Sequence, residues 1–116
     1  MNLFDTDAVV KMLSEKRYEP GSISIITLIE VLRGISNDRK RGYVKTLLEE
    51  AFTILDLNNK VIEVYYNMYR KLKDDGILMP EADLLIAATA TANNALLKTG
   101  DEHFRRLKTF GLKLKE

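Results

Sequence analysis

The fold class predicted for this chain is an α/β, three-layer α/β/α sandwich with a mainly parallel sheet of four to five strands, and three observations predict it. Short aliphatic or β-branched runs alternate with longer stretches of helical periodicity along the whole chain, the pattern of right-handed βαβ units rather than of hairpins. Breakers fall between the runs at Pro20-Gly21, Asp75-Gly76 and Asn93-Asn94. Acidic residues stand where strand-like runs hand over to helices, and an open α/β sheet gathers its ligands at the carboxyl ends of its strands.

Taken in order, residues 2 to 5 read as a short buried strand, followed by a helix from Asp7 to Lys16 with Val9, Val10 and Leu13 on its inner face. After Pro20-Gly21, the β-branched run Ser22 to Ile26 is strand-like. Thr27 to Ile35 then carries Leu28, Val31 and Leu32 at helical spacing and ends near Gly34. A further helix is predicted from about Asp38 to Ala51, a strand over Thr53 to Leu57, and a long helix from Asn59 to Lys73 with Ile62, Tyr65, Met68, Tyr69 and Leu72 as its apolar stripe. Asp75-Gly76 stops that helix. Pro80 suits the first turn of the next one, which runs through the alanine-rich stretch to Ala92. A strand at Ala95 to Lys98, a short helix at Asp101 to Leu107 and a last strand at Leu112 to Leu114 complete the set.

The 116 residues fit a single domain, 1–116. An apolar fraction of 46% with 30% charge is ordinary for a soluble globular chain. There is no cysteine, which excludes disulfide, thiolate-nucleophile and zinc-thiolate chemistry and points to an intracellular home. With neither a bilayer-length apolar run nor a basic leader before an apolar stretch, the cytoplasm is the expected compartment, with no membrane partner. A formal net charge of +1 argues against a polyelectrolyte binder as a whole. Two local basic clusters, Arg39-Lys40-Arg41 with Lys45 and Arg105-Arg106 with Lys108, Lys113 and Lys115, could track a phosphate backbone or serve only as solvated surface.

The candidate site residues are Asp5, Glu30, Asp83 and Asp101. Each has a mundane explanation as well. Thr27-Leu-Ile-Glu30 and Thr99-Gly-Asp-Glu102 have the form of capping boxes, Asp83 suits the first turn of a helix through the dipole, and Asp5 suits a cap. Capping would accept Ser, Thr or Asn equally well, whereas a site at the sheet edge needs the acids themselves. Carboxylates crowded together repel, and a hard divalent cation is the usual remedy. The chemistry such a cluster supports is metal-assisted phosphodiester hydrolysis with Mg²⁺ or Mn²⁺. His103 is the one histidine, so a zinc site of several imidazoles is excluded, and its expected role is packing or a hydrogen bond beside Asp101. Tyr65, Tyr66 and Tyr69 offer stacking surfaces to bases, but their helical spacing fits a core or dimer face better.

The chain resembles PIN-domain ribonucleases of the VapC toxin type. The matching segments are Leu3-Phe4-Asp5-Thr6-Asp7, Ser24 to Gly34 around Glu30, Pro80 to Thr89 around Asp83, and Leu97 to Phe104 around Asp101, in family order over nearly the whole chain. The resemblance implies a Mg²⁺- or Mn²⁺-dependent endoribonuclease with Asp5, Glu30, Asp83 and Asp101 as its acidic quartet and catalytic metal ligands. Thr6, Asp7 and Thr99 would be its supporting residues. It further implies a homodimer held inactive by a cognate VapB-like antitoxin docked over the groove near the site. Asp7 departs from the family, which more often has Asn there, and adds a negative charge. Two alternatives stand beside this reading. One is a catalytically silent PIN-like protein-binding module. The other is a phosphatase of the HAD type, whose Asp-x-Asp signature Asp5-Thr-Asp7-Ala-Val9 matches, although Glu30 and Asp83 would then have no role.

Overall fold

The computed structural model describes residues 1–115. Its elements are β1 (Asn2–Phe4), α1 (Thr6–Glu15), β2 (Ser22–Ser24), α2 (Ile25–Arg33), α3 (Asp38–Ala51), β3 (Thr53–Leu55), α4 (Asn59–Asp74), α5 (Glu81–Ala92), β4 (Leu96–Lys98), a 3₁₀ helix (Glu102–Phe110) and β5 (Lys113–Leu114). The strands form one sheet in the order β3-β2-β1-β4-β5, and every neighbouring pair is parallel. The α/β sandwich and its parallel sheet are therefore as expected, with five strands.

Successive strand residues face opposite sides of the sheet, and each side buries its own core. Leu3 and Leu97 join Val61, Met68 and Leu72 of α4, the apolar face of α5, and Phe104 and Leu107 of the 3₁₀ helix. Phe4 and Ile23 face the other way, onto Val9 and Met12 of α1, Leu28 and Val31 of α2, and Val44 and Leu48 of α3. Because β2 and β3 lie to one side of β1 while β4 and β5 lie to the other, the chain reverses its winding between β1 and β4. A crevice opens at the carboxyl ends of strands at such a point.

Local chemistry moves several boundaries. The β-branched run expected as a strand to Ile26 ends at Ser24, whose hydroxyl accepts the Ile26 N–H at 3.1 Å and caps α2. The cap outweighs the strand propensity of Ile25 and Ile26. Thr27 is consequently inside the helix, so Thr27-Leu-Ile-Glu30 is not a capping box. The second expected box fails likewise, since Asp101 caps the 3₁₀ helix and Glu102 pairs with Arg105. Pro80 is the N-cap of α5 rather than part of its first turn.

On α1, Val9 and Met12 are buried while Val10 is 50% exposed, against expectation. On α4 the buried side is Val61, Met68 and Leu72, and Ile62 and Tyr69 are each 43% exposed. Two apolar stripes overlap on that helix, and only contact with α5 and the sheet selects one of them. Gly76, at φ +69°, ends α4 in a conformation that other residues resist.

Gly21 leads into β2 where the backbone passes β1. A Cβ there would lie 2.7 Å from Asn2 O and 2.7 Å from the Phe4 ring. Gly21→Ala is therefore expected to cost about 1–3 kcal/mol through overpacking, read as a lower urea midpoint with an unchanged m-value.

Candidate metal centre at the carboxyl end of the sheet

The pairing of β1 with β4, Phe4 opposite Lys98, continues for one residue past both strands through the Asp5 N–H, which donates to Lys98 O at 3.3 Å. Asp5 and Thr99 are thereby set side by side. Thr99 Oγ1 donates to Asp5 Oδ2 and accepts the Asp101 N–H at 3.0 Å. Asp5 also caps α1, its Oδ1 accepting the Ala8 N–H at 2.9 Å. Cap and site member are thus one residue, and the two readings of Asp5 are not exclusive. Only 5% of Asp5 remains exposed. Burial raises its pKa above the usual carboxylate range, with Asp7 and Asp101 adding repulsion and the bonds from Thr99 and Ala8 opposing the rise.

Asp83 stands in the first turn of α5, and its pKa is raised too. Burial is the largest cause, followed by the charges of Asp101, Glu30, Asp5 and Asp7. The other three candidate acids, with Asp7, are therefore within electrostatic reach of Asp83. Asp101 differs. The His103 N–H bonds its Oδ1 at 2.9 Å and His103 Nδ1 lies 2.7 Å from the same oxygen, which lowers its pKa. Glu30 reaches the group from α2. Its Oε1 accepts from Thr6 Oγ1 at 2.6 Å, and Arg33 lies 3.9 Å from its Oε2. Asp7 is exposed in the first turn of α1 and contributes charge rather than a cap.

Among the described residues no three acidic or histidine side chains close around a single point as an ion requires. The donor set is nonetheless that of a hard cation: carboxylate and hydroxyl oxygens, no sulfur, one nearly buried carboxylate, and two acids whose ionised forms the surroundings penalise. The residues present fit Mg²⁺ or Mn²⁺.

Two grooves flank α1 and begin beside this centre. One, about 850 Å³, starts at Thr6 and Glu30 and is walled by Val10, Leu13, Val31, Ile35 and Leu47 of α1 to α3. The other, about 490 Å³, starts at Phe4 and Lys98 and is lined by Lys11, Arg17 and Glu19, with Lys98 Nζ 2.9 Å from both Glu19 carboxylate oxygens. The basic cluster on α3 is partly engaged, Arg41 bonding Ile35 O and Lys45 bonding Glu49. In the second cluster, Arg106 lies close enough to help lower the Asp101 pKa. Of the three tyrosines only Tyr65 packs against the core. Tyr66 is 62% exposed, Tyr65 and Tyr69 stack with centroids 6.0 Å apart, and Tyr65, donating to Glu81, has its pKa pushed up to about 12. The described residues contain no helix long and apolar enough to cross a membrane.

The PIN-domain family model matches residues 3–109. The chain belongs to the PIN-domain family. Among curated PIN relatives, it is 40% identical over 116 residues to ribonuclease VapC1 of Methanocaldococcus jannaschii, covering 97% of this chain and 85% of that protein. It is 31% identical over 90 residues to ribonuclease VapC2 of Rickettsia felis, covering 74% and 67%. Of solved structures, VapBC-1 from nontypeable Haemophilus influenzae superposes with a TM-score of 0.85 at 22% identity over 99% of this chain and 96% of that one. These matches leave the HAD-type signature without support, since the structure puts Asp5 at a helix cap and Asp7 exposed on the first turn of α1.

Removing one of the crowded charges should help the metal-free fold. Asp83→Asn is expected to raise Tm in EDTA at pH 7 by roughly 2–4 °C, a modest gain because solvent still reaches and screens this partly buried group. It should also abolish the stabilisation that millimolar Mn²⁺ gives the parent protein, both read by differential scanning fluorimetry.

Proposed function

We propose that the protein is a Mg²⁺- or Mn²⁺-dependent endoribonuclease of the VapC toxin type, a single PIN domain acting in the cytoplasm. The observation that carries this reading is the electrostatic reach of Asp5, Glu30 and Asp101 to Asp83, and of Asp101 to Asp5, at the crevice between β1 and β4. The 40% identity to a ribonuclease over 97% of the chain supports it.

The four acids would hold the cation. When bound, such an ion neutralises a phosphodiester and lowers the pKa of a coordinated water. The chain's own contribution is preorganisation. Thr99 and the Ala8 N–H fix both oxygens of Asp5, His103 fixes Asp101, and Thr6 fixes one oxygen of Glu30. Asp83 enters from the opposite helix layer. Arg106 near Asp101 supplies positive charge on which a flanking RNA phosphate can rest.

The apolar groove between α1 and α3 ends at Glu30 and Thr6, so an amphipathic antitoxin segment lying in it reaches the acids. Solved structures of similar fold are VapBC complexes, one bound to a DNA fragment from its promoter. The exposed Ile62, Tyr66 and Tyr69 on α4, with Leu78 94% exposed nearby in sequence, suit a homodimer face.

Asp5→Asn should lower RNA cleavage by at least about a hundredfold with the fold retained. Sequencing of cellular RNA ends after brief expression of the parent and the variant checks this, and identical new ends from both would refute the assignment. Val10→Glu, in the apolar groove, is expected to abolish co-purification with a co-expressed antitoxin while leaving cleavage intact.

A further inference from the structure

Helix α1 ends on a lysine in the left-handed region, Lys16 at φ +54°, a conformation that favours glycine. The Lys16 N–H donates to Leu13 O at 3.4 Å and the Arg17 N–H to Met12 O at 3.2 Å, the bonds that close a helix behind a left-handed cap. Arg17 and Tyr18 therefore leave the helix on an anchored backbone. Both line the groove of about 490 Å³ that starts at Phe4 and Lys98, the residues immediately before Asp5 and Thr99, and that passes Lys11 on α1.

Charge along this groove is uneven. Lys98 is engaged, its ammonium lying 2.9 Å from both oxygens of Glu19. Among the described residues, the exposed side chains of Lys11 and Arg17 have neither an ion pair nor a hydrogen bond. Glu15 is the one lining acid that Lys98 does not engage. Lys11 stands six residues after Asp5, about 9 Å along a helix axis, and Arg17 stands beyond it. An anion that meets both is extended and repeats its charge along its length.

An aromatic surface lies beside the two cations. Tyr18 is 36% exposed. Its ring meets Phe52 edge-on, with centroids 6.4 Å apart and planes at 72°, and Phe52 packs on Phe4 at 5.7 Å. The core thus holds the tyrosine ring in place at the groove. Spaced cations that track a backbone, joined to an aromatic ring on which a base stacks, are what single-stranded nucleic acid requires of a groove.

We propose that this groove carries the single-stranded RNA next to the scissile bond, with Lys11 and Arg17 holding two of its phosphates and the Tyr18 ring stacking on a base. The inference rests on the nuclease reading above and assigns that activity a substrate-binding groove. Contacts of this kind grip the backbone and the faces of bases, so the groove tolerates many sequences.

The test is binding of fluorescein-labelled oligouridine by fluorescence anisotropy, in EDTA and over a salt series, on the parent and on Lys11→Ala, Arg17→Ala, Tyr18→Leu, Tyr18→Phe and Lys60→Ala, with Tm measured for each. Lys11→Ala and Arg17→Ala should each weaken binding about three- to tenfold and lower the slope of log K against log salt by about 0.7, the value for one phosphate on a single strand. Tyr18→Leu should weaken binding about fivefold or more at an unchanged slope, and Tyr18→Phe, which keeps the ring, should bind as the parent does. Lys60, exposed on α4 across the sheet, is the control and should change neither quantity. Parent affinity and slope in both Lys11→Ala and Arg17→Ala, or an equal loss in Lys60→Ala, overturns the groove. So does loss of a co-expressed antitoxin from the two groove variants with RNA affinity retained, which gives the groove to a protein partner. A Tm loss with parent affinity in Tyr18→Leu overturns the stacking role. These outcomes leave the nuclease reading standing wherever the parent cleaves cellular RNA in Mn²⁺, whereas a parent that cleaves none overturns that reading and the groove with it.

Discussion

Parallel pairing of β1 with β4 is the constraint on which the candidate site depends. The register that sets Phe4 against Lys98 makes Asp5 and Thr99 the next facing pair, and the Asp5 N–H still reaches Lys98 O beyond the strand ends. From that point the chain turns into α1 on one side and into the 3₁₀ helix on the other, so Asp5 and Asp101 both begin helices at one crevice. A one-residue slip would send Asp5 to the other face of the sheet, into a packed core.

Stability and site chemistry pull against each other here. Of the few buried polar residues, Asp5, Ser24, Thr27 and Thr89 lie at or near the junctions of β1, α2 and α5, and they are tied by hydroxyl contacts rather than by opposite charges. The raised pKa values of Asp5 and Asp83 register the same tension, since burial and neighbouring carboxylates disfavour their ionised forms.

Helix α1 organises the surroundings as well as the centre. Asp5 caps it and Thr6 is its first residue. Its two flanks wall grooves of opposite character, apolar toward α2 and α3 and charged toward Lys98.

The alternation of short runs and helical periods determined the α/β class, the parallel sheet and the order of elements from sequence alone, because those patterns record which faces must be buried. The placement of two acids at strand ends was legible for the same reason: Asp5 directly follows β1, and Asp101 follows β4 after Thr99 and Gly100. The buried side of α4 was legible only in part: Met68 and Leu72 of the expected stripe are buried and Tyr65 packs against the core, whereas Val61 replaces Ile62 and Tyr69 turns outward, a choice that packing against α5 makes. Where α2 begins was also decided in three dimensions, by the Ser24 cap over the propensity of Ile25 and Ile26. That shift moved Thr27 from a presumed cap into the interior. The bonds from Thr6 to Thr27 and to Glu30 join residues 21 and 24 positions apart, contacts that exist only once α1 packs on α2.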